Sequence, residues 1–454
     1  MFKKFTNGCV NLVSKYLPDP FIFCILLTFI ILVMGIIMTS QSPLDMVVHW
    51  SEGFWGLLAF TMQMALVLVF GNALANAPIF KKVLKRLAKI PKNPRQAIVL
   101  VTVVSSLACF VNWGFGLVIG AIFAKELAKE IEGVDYRLLI ASAYTGFLVW
   151  HGGLSSSVGL QLATGGEEVV RVTEGVVGAD GLATSQTLFS SFNLFIVIAL
   201  IIALPIINRA MHPSKDKVIV IDKELLKDED FVEMDKKDMT PADKLENSKI
   251  ITIIVGLMGI SYIIYYFINY GFELNLNIVN FLFLFLGILS HKTPRRFLDA
   301  IAASVKGAGP ILLQFPFYAG VMGMMTGLNS EGVSLAVLMS NFFVNVSNTF
   351  TFPLMSFLSA GIINIFVPSG GAQWALQAPI MMPAGAYLGV EPARVAMTIA
   401  WGDVWTNMIQ PFWALPALGI AGLKAKDIMG FCIVVLIFSG LIMGIGLTLV
   451  GVRF

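Results

Sequence analysis

Apolar residues run in long blocks along this chain, separated by short polar stretches. Residues 20–39, 187–210, 249–270 and 427–450 each hold a nearly uninterrupted apolar run. Crossing a hydrocarbon core takes about 20 such residues, so each reads as a membrane-spanning helix. Residues 53–77, 273–290 and 309–328 read the same way. Residues 137–164 and 394–421 are long enough too, but Gly152 and Gly153 interrupt the first and Pro411 the second. These two are expected to be broken helices. The stretches 97–124 and 351–388 are apolar with Gly-rich centres, and read as re-entrant hairpins that enter and leave on one side.

The polar stretches orient this pattern. Basic residues stay on the cytoplasmic side of the membrane. The segment "KKVLKRLAKIPKNPR" (81–95) carries seven of them and no acid, whereas 40–52 carries none. Nine spans and two hairpins then place all but three of the 31 Lys and Arg residues inside, the exceptions being Arg171, Arg394 and Arg453. The N-terminus is expected in the cytoplasm and the C-terminus outside. Residues 211–248 are rich in Lys, Asp and Glu and too polar for a core. They read as a cytoplasmic linker, with room for one short amphipathic helix.

The two sides of that linker resemble each other. "GVDYRLLIASAY" (133–144) aligns with "GVEPARVAMTIAW" (389–401) with one inserted residue. "GFLVWHGGLSSSVGLQL" (146–162) then falls on "DVWTNMIQPFWALPALG" (403–419), and "VNWGFG" (111–116) on "VPSGGA" (367–372). The charge pattern has the first hairpin entering from inside and the second from outside, which makes an inverted-topology repeat, a common plan of secondary transporters. Residues 1–210 form one repeat and 273–454 the other, joined by the linker and a connecting span at 249–272. The expected class is an all-α polytopic membrane protein with two hairpins and two broken helices.

Composition agrees and adds exclusions. Of 454 residues, 57% are hydrophobic and 13% charged, and the mean hydropathy is +0.82. A soluble protein carries about 25% charged residues. The net charge of +3 says little, since position rather than total matters here. The four cysteines have no metal-ligand or CxxC spacing. The basic residues sit beside spans, where topology accounts for them, so no nucleic-acid partner is expected. The first apolar block lacks a small-residue cleavage site and reads as a retained span.

The chemistry should lie at the breaks. Backbone at the bilayer midplane must be hydrogen-bonded unless it lines a cavity. Free half-helix N-termini suit an anion, and free carbonyls at C-terminal ends suit a cation. Asp403 is an acid inside a span, which is by default a functional residue. With Asn407, Gln410 and Asn364 it is the candidate site for a coupling cation, Na+ or H+. The candidate carboxylate-binding groups are Ser155, Ser156 and Ser157 at the first break, Asn112 and Gly114 at the first tip, and Ser369, Gly370 and Gly371 at the second. Each has an ordinary alternative, as a helix cap, a tip staple or a tight turn. His151 suits a proton shuttle, but a lone histidine on an apolar face is more often structural. No cofactor is expected.

At these motifs the chain resembles the short-chain fatty acid transporter family of the acetoacetate and butyrate uptake type, within the ion transporter superfamily. The resemblance covers nearly the whole chain. It rests on "KYLPDPFIF" (15–23), "GFWGLLAFTMQMALVLV" (53–69), "VNWGFGLVIGA" (111–121), "QFPFYAG" (314–320), "VPSGGAQWALQAP" (367–379) and "QPFWALPALGIAG" (410–422). It implies uptake of short-chain monocarboxylates across a bacterial inner membrane; with the candidate cation site at Asp403 the leading reading is uptake by cation symport. It also implies a scaffold, a moving transport domain of elevator type, and a homodimer. That family often has glycine at the position of His151 and glutamate at that of Asp403.

Three other readings compete. The same fold can carry a dicarboxylate or amino acid, but the segments expected at the core hold no Lys or Arg to clamp a second charge. An intramembrane hydrolase would use His151 and Ser155, yet a glycine pair separates them and no nucleophile motif surrounds the serine. A passive channel is the third.

Overall fold

The computed structural model describes residues 2–221, 239–271 and 275–450. It is built from helices whose borders follow capping and helix-breaking residues. Proline opens many of them at the first turn, among them Pro20–Thr39, Pro43–Phe54, Pro94–Val111 and Pro392–Thr406. Proline is pre-organised there, and its missing N–H costs nothing. Among the described residues seven helical stretches are long and apolar enough to cross a membrane, including Pro20–Thr39, Ser191–Met211 and Ala425–Leu449. With hydrophobic residues exposed along helices such as Lys249–Tyr270, this is a multi-pass membrane protein.

Some borders differ from the sequence reading. The segment 40–52, expected as a plain outer loop, is mostly the helix Pro43–Phe54, capped by a reciprocal Ser42–Asp45 pair. The following span is therefore shorter, Leu58–Ala75. The N-terminal residues form an amphipathic helix, Phe2–Tyr16, that packs on Ala425–Leu449 and was not expected. A second short helix, Pro241–Glu246, lies in the linker; residues 222–238 of that linker are outside the described residues.

Both hairpins are helical. In the first, Pro94–Val111 and Trp113–Glu130 pack on each other, and the chain reverses at the extended residue Asn112. Close approach requires glycine at 116, because a Cβ there would collide with the Cys109 backbone. In the second, Phe352–Asn364 and Gly370–Tyr387 flank the tip 365–369. Both broken spans are broken. Tyr136–Thr145 runs into a 3-10 turn, Gly146–Gly152, before the chain restarts as Ser157–Thr164. Pro392–Thr406 runs into the 3-10 turn Asn407–Ile409 before Pro411–Ala421.

Helix order repeats across the linker: span, short helix, span, short helix, hairpin, broken helix, span, with the further short helix Glu167–Val172 in the first half. The contacts between the halves are reciprocal. Pro43–Phe54 packs on Gly309–Thr326, and its counterpart Pro294–Val305 packs on Leu58–Ala75. Pro20–Thr39 likewise packs on Gly309–Thr326, and Leu276–His291 on Leu58–Ala75. Ser157–Thr164 touches the second hairpin, and Pro411–Ala421 the first. The hairpins, the broken helices, Ser191–Met211, Ala425–Leu449 and the N-terminal helix pack mainly among themselves, and the remaining spans form a second cluster.

Candidate functional site

Each hairpin tip is bonded to the broken helix of its own half. At the first, the Leu154 backbone N–H donates to the Phe110 carbonyl (2.7 Å), and the Trp113 N–H donates to Ser155 Oγ (3.1 Å). Asn112 caps Trp113–Glu130 by accepting from the Phe115 N–H (2.9 Å), and Gly114 lies buried behind it. Ser156 caps Ser157–Thr164 by accepting from Gly159 N–H (3.1 Å). The geometry gives these residues cap and tip contacts, the ordinary alternatives to the carboxylate-binding role expected of them.

The second tip is held by side-chain amides. Asn364 Nδ2 reaches the Asp403 carbonyl (2.6 Å), Asn407 Oδ1 (2.7 Å) and Thr406 Oγ1 (2.9 Å). Gln410 Nε2 donates back to the Asn364 carbonyl. Thr406 Oγ1 donates to the Gly361 carbonyl (2.7 Å), and the Tyr144 hydroxyl donates to the Asn407 carbonyl. Asn364, Asn407 and Gln410 thus come together as expected. The carbonyls expected to be left free for a cation are largely taken: Asn364 uses that of Asp403, and Tyr144 that of Asn407. What stays without a hydrogen-bond partner is the Asn407 Nδ2, the Gln410 Oε1 and the Asn364 Oδ1.

The two halves meet at Asp403 and His151. Both are buried, at 1% and 0% exposure. His151 Nε2 lies 3.2 Å from Asp403 Oδ2, within ion-pair distance, but the angle is not that of a hydrogen bond, and neither Asp403 carboxylate oxygen accepts one. His151 Nδ1 faces Ser156 Oγ at 3.3 Å. Gly370, the first residue of the second hairpin's returning helix, sits against His151 so closely that a Cβ would collide with Nε2. Acid, imidazole, first break and second tip therefore share one place. A bare buried carboxylate is costly by several kcal/mol, so such a group holds a proton, a cation or an imidazolium beside it.

Among the described residues no hydrogen bond or ion pair joins that pair to Ser157, Ser369 or Gly371. Ser157, Ser369 and Gly371 are partly or fully exposed near the ends of their helices, and Ser369 caps its own helix only loosely, with Ala372 N at 3.5 Å. Nothing lies within 4 Å of where a Cβ on Gly371 would be.

Other residues emerge only here. The Trp150 ring lies against that of its neighbour His151, with centroids 3.6 Å apart and the planes tilted by 33°. Trp113, Phe147 and Trp413 join it, Trp413 lying 5.3 Å from Trp113 and 5.2 Å from Phe147. Phe60, from the span Leu58–Ala75, closes this wall from the second cluster. The indole N–H groups of Trp150 and Trp413 are buried and unpartnered. Asn193 donates to the Gly152 carbonyl (3.0 Å) and accepts from the Trp401 indole (2.9 Å), tying both broken helices to Ser191–Met211. The only sequence signal for Asn193 is an amide in an apolar span.

Among the described residues no group of three or more His, Cys, Asp or Glu is placed to hold a metal ion. The site is thus one carboxylate and one imidazole among amides, hydroxyls and aromatic rings.

Comparison with known proteins adds the family. The chain is 48% identical over 450 residues to a putative short-chain fatty acid transporter of Escherichia coli, covering 99% of this chain and all of that one. It is 46% identical to a putative short-chain fatty acid transporter of Haemophilus influenzae, covering 98% of this chain and 99% of that one. Among solved structures, the YdaH transporter of Alcanivorax borkumensis aligns at 15% identity with a TM-score of 0.41, covering 94% of this chain and 98% of that one. The family model described as short chain fatty acid transporter matches residues 1–450, and this chain belongs to that family of transporters.

Proposed function

We propose that this protein imports short-chain monocarboxylates, of the butyrate and acetoacetate kind, coupled to a cation that binds at Asp403. The observation that carries the reading is the buried Asp403 carboxylate with no hydrogen-bond donor, 3.2 Å from His151 Nε2 and beside the start of the second hairpin's returning helix. A cation there lowers the cost of bringing a second carboxylate, that of the substrate, into a dry site, so ion and substrate bind with positive coupling. Of the two candidate ions, the geometry favours a proton over Na+. A hard cation wants oxygens around it. Here an imidazole nitrogen flanks the acid, and the backbone carbonyls of Asp403 and Asn407 are already bonded; Na+ would have to rely on the unpartnered Asn364 Oδ1 and Gln410 Oε1.

The substrate carboxylate would take its donors from the orphan Asn407 amide, the Trp150 and Trp413 indoles, and the hairpin N-termini around Asn112, Gly114, Ser369, Gly370 and Gly371. Its short alkyl part would lie on the aromatic wall of Trp113, Phe147 and Trp413. No Lys or Arg takes part in the contacts described around Asp403, which suits a single small anion better than a dicarboxylate or amino acid.

In this reading the two halves are inverted repeats, 1–210 and 273–454, and the hairpin cluster moves against the span cluster as an elevator. Reciprocal packing of the halves supports it, as does the grouping of helices into two clusters. The membrane is a bacterial inner membrane, the N-terminus is cytoplasmic and the C-terminus outside, and the assembly is a homodimer.

Labelled butyrate uptake into proteoliposomes, with proton and sodium gradients imposed separately, tests this. Concentrative uptake driven by the proton gradient is expected. In Asp403→Asn, which keeps shape and removes charge, the dependence on that gradient should flatten. Equal rates with and without any gradient would indicate a passive channel. An unaltered gradient dependence in Asp403→Asn would put the coupling group elsewhere.

A further inference from the structure

Away from that site, a cleft of about 1080 Å³ opens where the first hairpin begins. Its polar rim carries Lys3 from the N-terminal helix, Arg95 from the first turn of Pro94–Val111, and Arg209 and His212 from the end of Ser191–Met211. Its wall is apolar, formed by Val99, Leu100 and Val103 of the hairpin. The start of the linker closes one side: the Ile219 carbonyl accepts from the Tyr136 N–H (3.0 Å), and the Ile219 N–H donates to Asp135 Oδ2 (3.0 Å).

Two observations make this more than a set of inside-facing cations. Lys3, Arg95 and Arg209 come from three separate elements, and none makes an ion pair among the described residues, although Glu132 lines the same cleft. Burial also holds the His212 imidazole below its usual range, and the nearby Lys3 and Arg95 charges add to this against Asp135 and a bond to the Pro213 carbonyl. The rim therefore brings three cations from separate elements together over an apolar groove, with Glu132 as the one acid in its lining.

We propose that this cleft binds a phosphate-bearing amphiphile, supplied by an anionic phospholipid of the surrounding leaflet. The phosphate would sit among Lys3, Arg95 and Arg209, and an acyl chain would follow Val99, Leu100 and Val103. The N-terminal helix presents exposed Phe5 and Leu12, which suits a lipid surface beside the rim. All three cations stand on elements of the hairpin cluster, so the lipid would clamp the N-terminal helix and the hairpin base to Ser191–Met211. It acts on stability and occupancy of that cluster, not on the substrate.

The test uses the full-length protein in neutral phosphatidylcholine nanodiscs, titrated with phosphatidylglycerol. Bound lipid is counted by native mass spectrometry, and thermal unfolding is followed in parallel. Phosphatidylglycerol should be retained and should raise the unfolding temperature. The triple variant Lys3→Gln, Arg95→Gln, Arg209→Gln should lose that shift and bind about a hundredfold more weakly, three juxtamembrane cations having been removed. The variant Lys82→Gln, Lys89→Gln, Lys306→Gln removes the same charge from residues outside the cleft and should keep both. Equal losses in the two variants would reduce the effect to bulk charge and overturn the site. An equal shift from inorganic phosphate alone would overturn the lipid as its source. Residues 222–238 carry eight acids and four lysines. Binding that appears only after their deletion would mean the acidic stretch already fills the cleft, and the lipid proposal would fall.

Discussion

The two hairpin tips solve one problem with different chemistry. Both must satisfy the backbone of an interrupted helix away from water. The first does so with small residues and backbone: Leu154 N–H to the Phe110 carbonyl, Trp113 N–H to Ser155 Oγ, and a bare Gly153 against Phe110. The second does so with long amides: Asn364, Gln410 and Asn407, backed by Thr406 and Tyr144. One mended by backbone can separate and re-form with few side chains to repack. One welded by a buried amide network has several bonds to lose together, and such networks are costly when only partly satisfied. The second tip is thus the stiffer floor, and its Gly370 carries the contact to His151.

Asn364→Leu should give the largest effect and would test that stiffness directly. It removes one amide that serves three acceptors and fills the space with methyls. Each buried acceptor left alone costs about 1–3 kcal/mol. Thermal unfolding should fall well below that of wild type, and transport should be lost. Ordinary stability would mean the network is decorative and the tips are alike.

Next comes Gly370→Ala. A Cβ there collides with His151 Nε2, so the ring must leave Asp403 or the tip must lift. The expected result is uptake cut by about tenfold or more, about 1.4 kcal/mol in the barrier, with modest loss of stability. His151→Gly in the same background should recover part of that rate by making room. Failure to recover would show that the damage comes from the tip and not from the ring.

Ser155→Ala should be milder. It removes the acceptor of the Trp113 N–H and costs about 1 kcal/mol. Uptake should weaken without being abolished; complete loss with a normal fold would instead make Ser155 a contact for the substrate and more than a tip bond. The smallest effect is expected from Gly371→Ala. Its Cβ meets nothing within 4 Å, and alanine favours the helix by up to about 1 kcal/mol. Stability should hold or rise slightly. A raised KM with unaltered stability would place the substrate on that exposed N-terminus.

Much of this was legible along the chain. The span Pro20–Thr39, both hairpins and both breaks follow from local causes, since apolar length, proline, glycine and capping residues act within a few positions. Asp403 stood out because an acid in an apolar run is unusual wherever it points. The amphipathic helices Phe2–Tyr16 and Pro43–Phe54 were missed, because nine-span threading attends to long runs and not to helical periodicity in short polar ones.

What the chain order alone could not decide is which partner each buried polar group finds. Nothing near His151 in the sequence points to Asp403 or Gly370, nothing near Asn193 to Trp401, and nothing near Tyr144 to the Asn407 carbonyl. Hydropathy and helix breaking are properties of a residue and its immediate neighbours, so they can be read in one dimension. A hydrogen bond or a buried ion pair depends on distance and angle between groups far apart in the chain. Those exist only once the two halves have packed against each other.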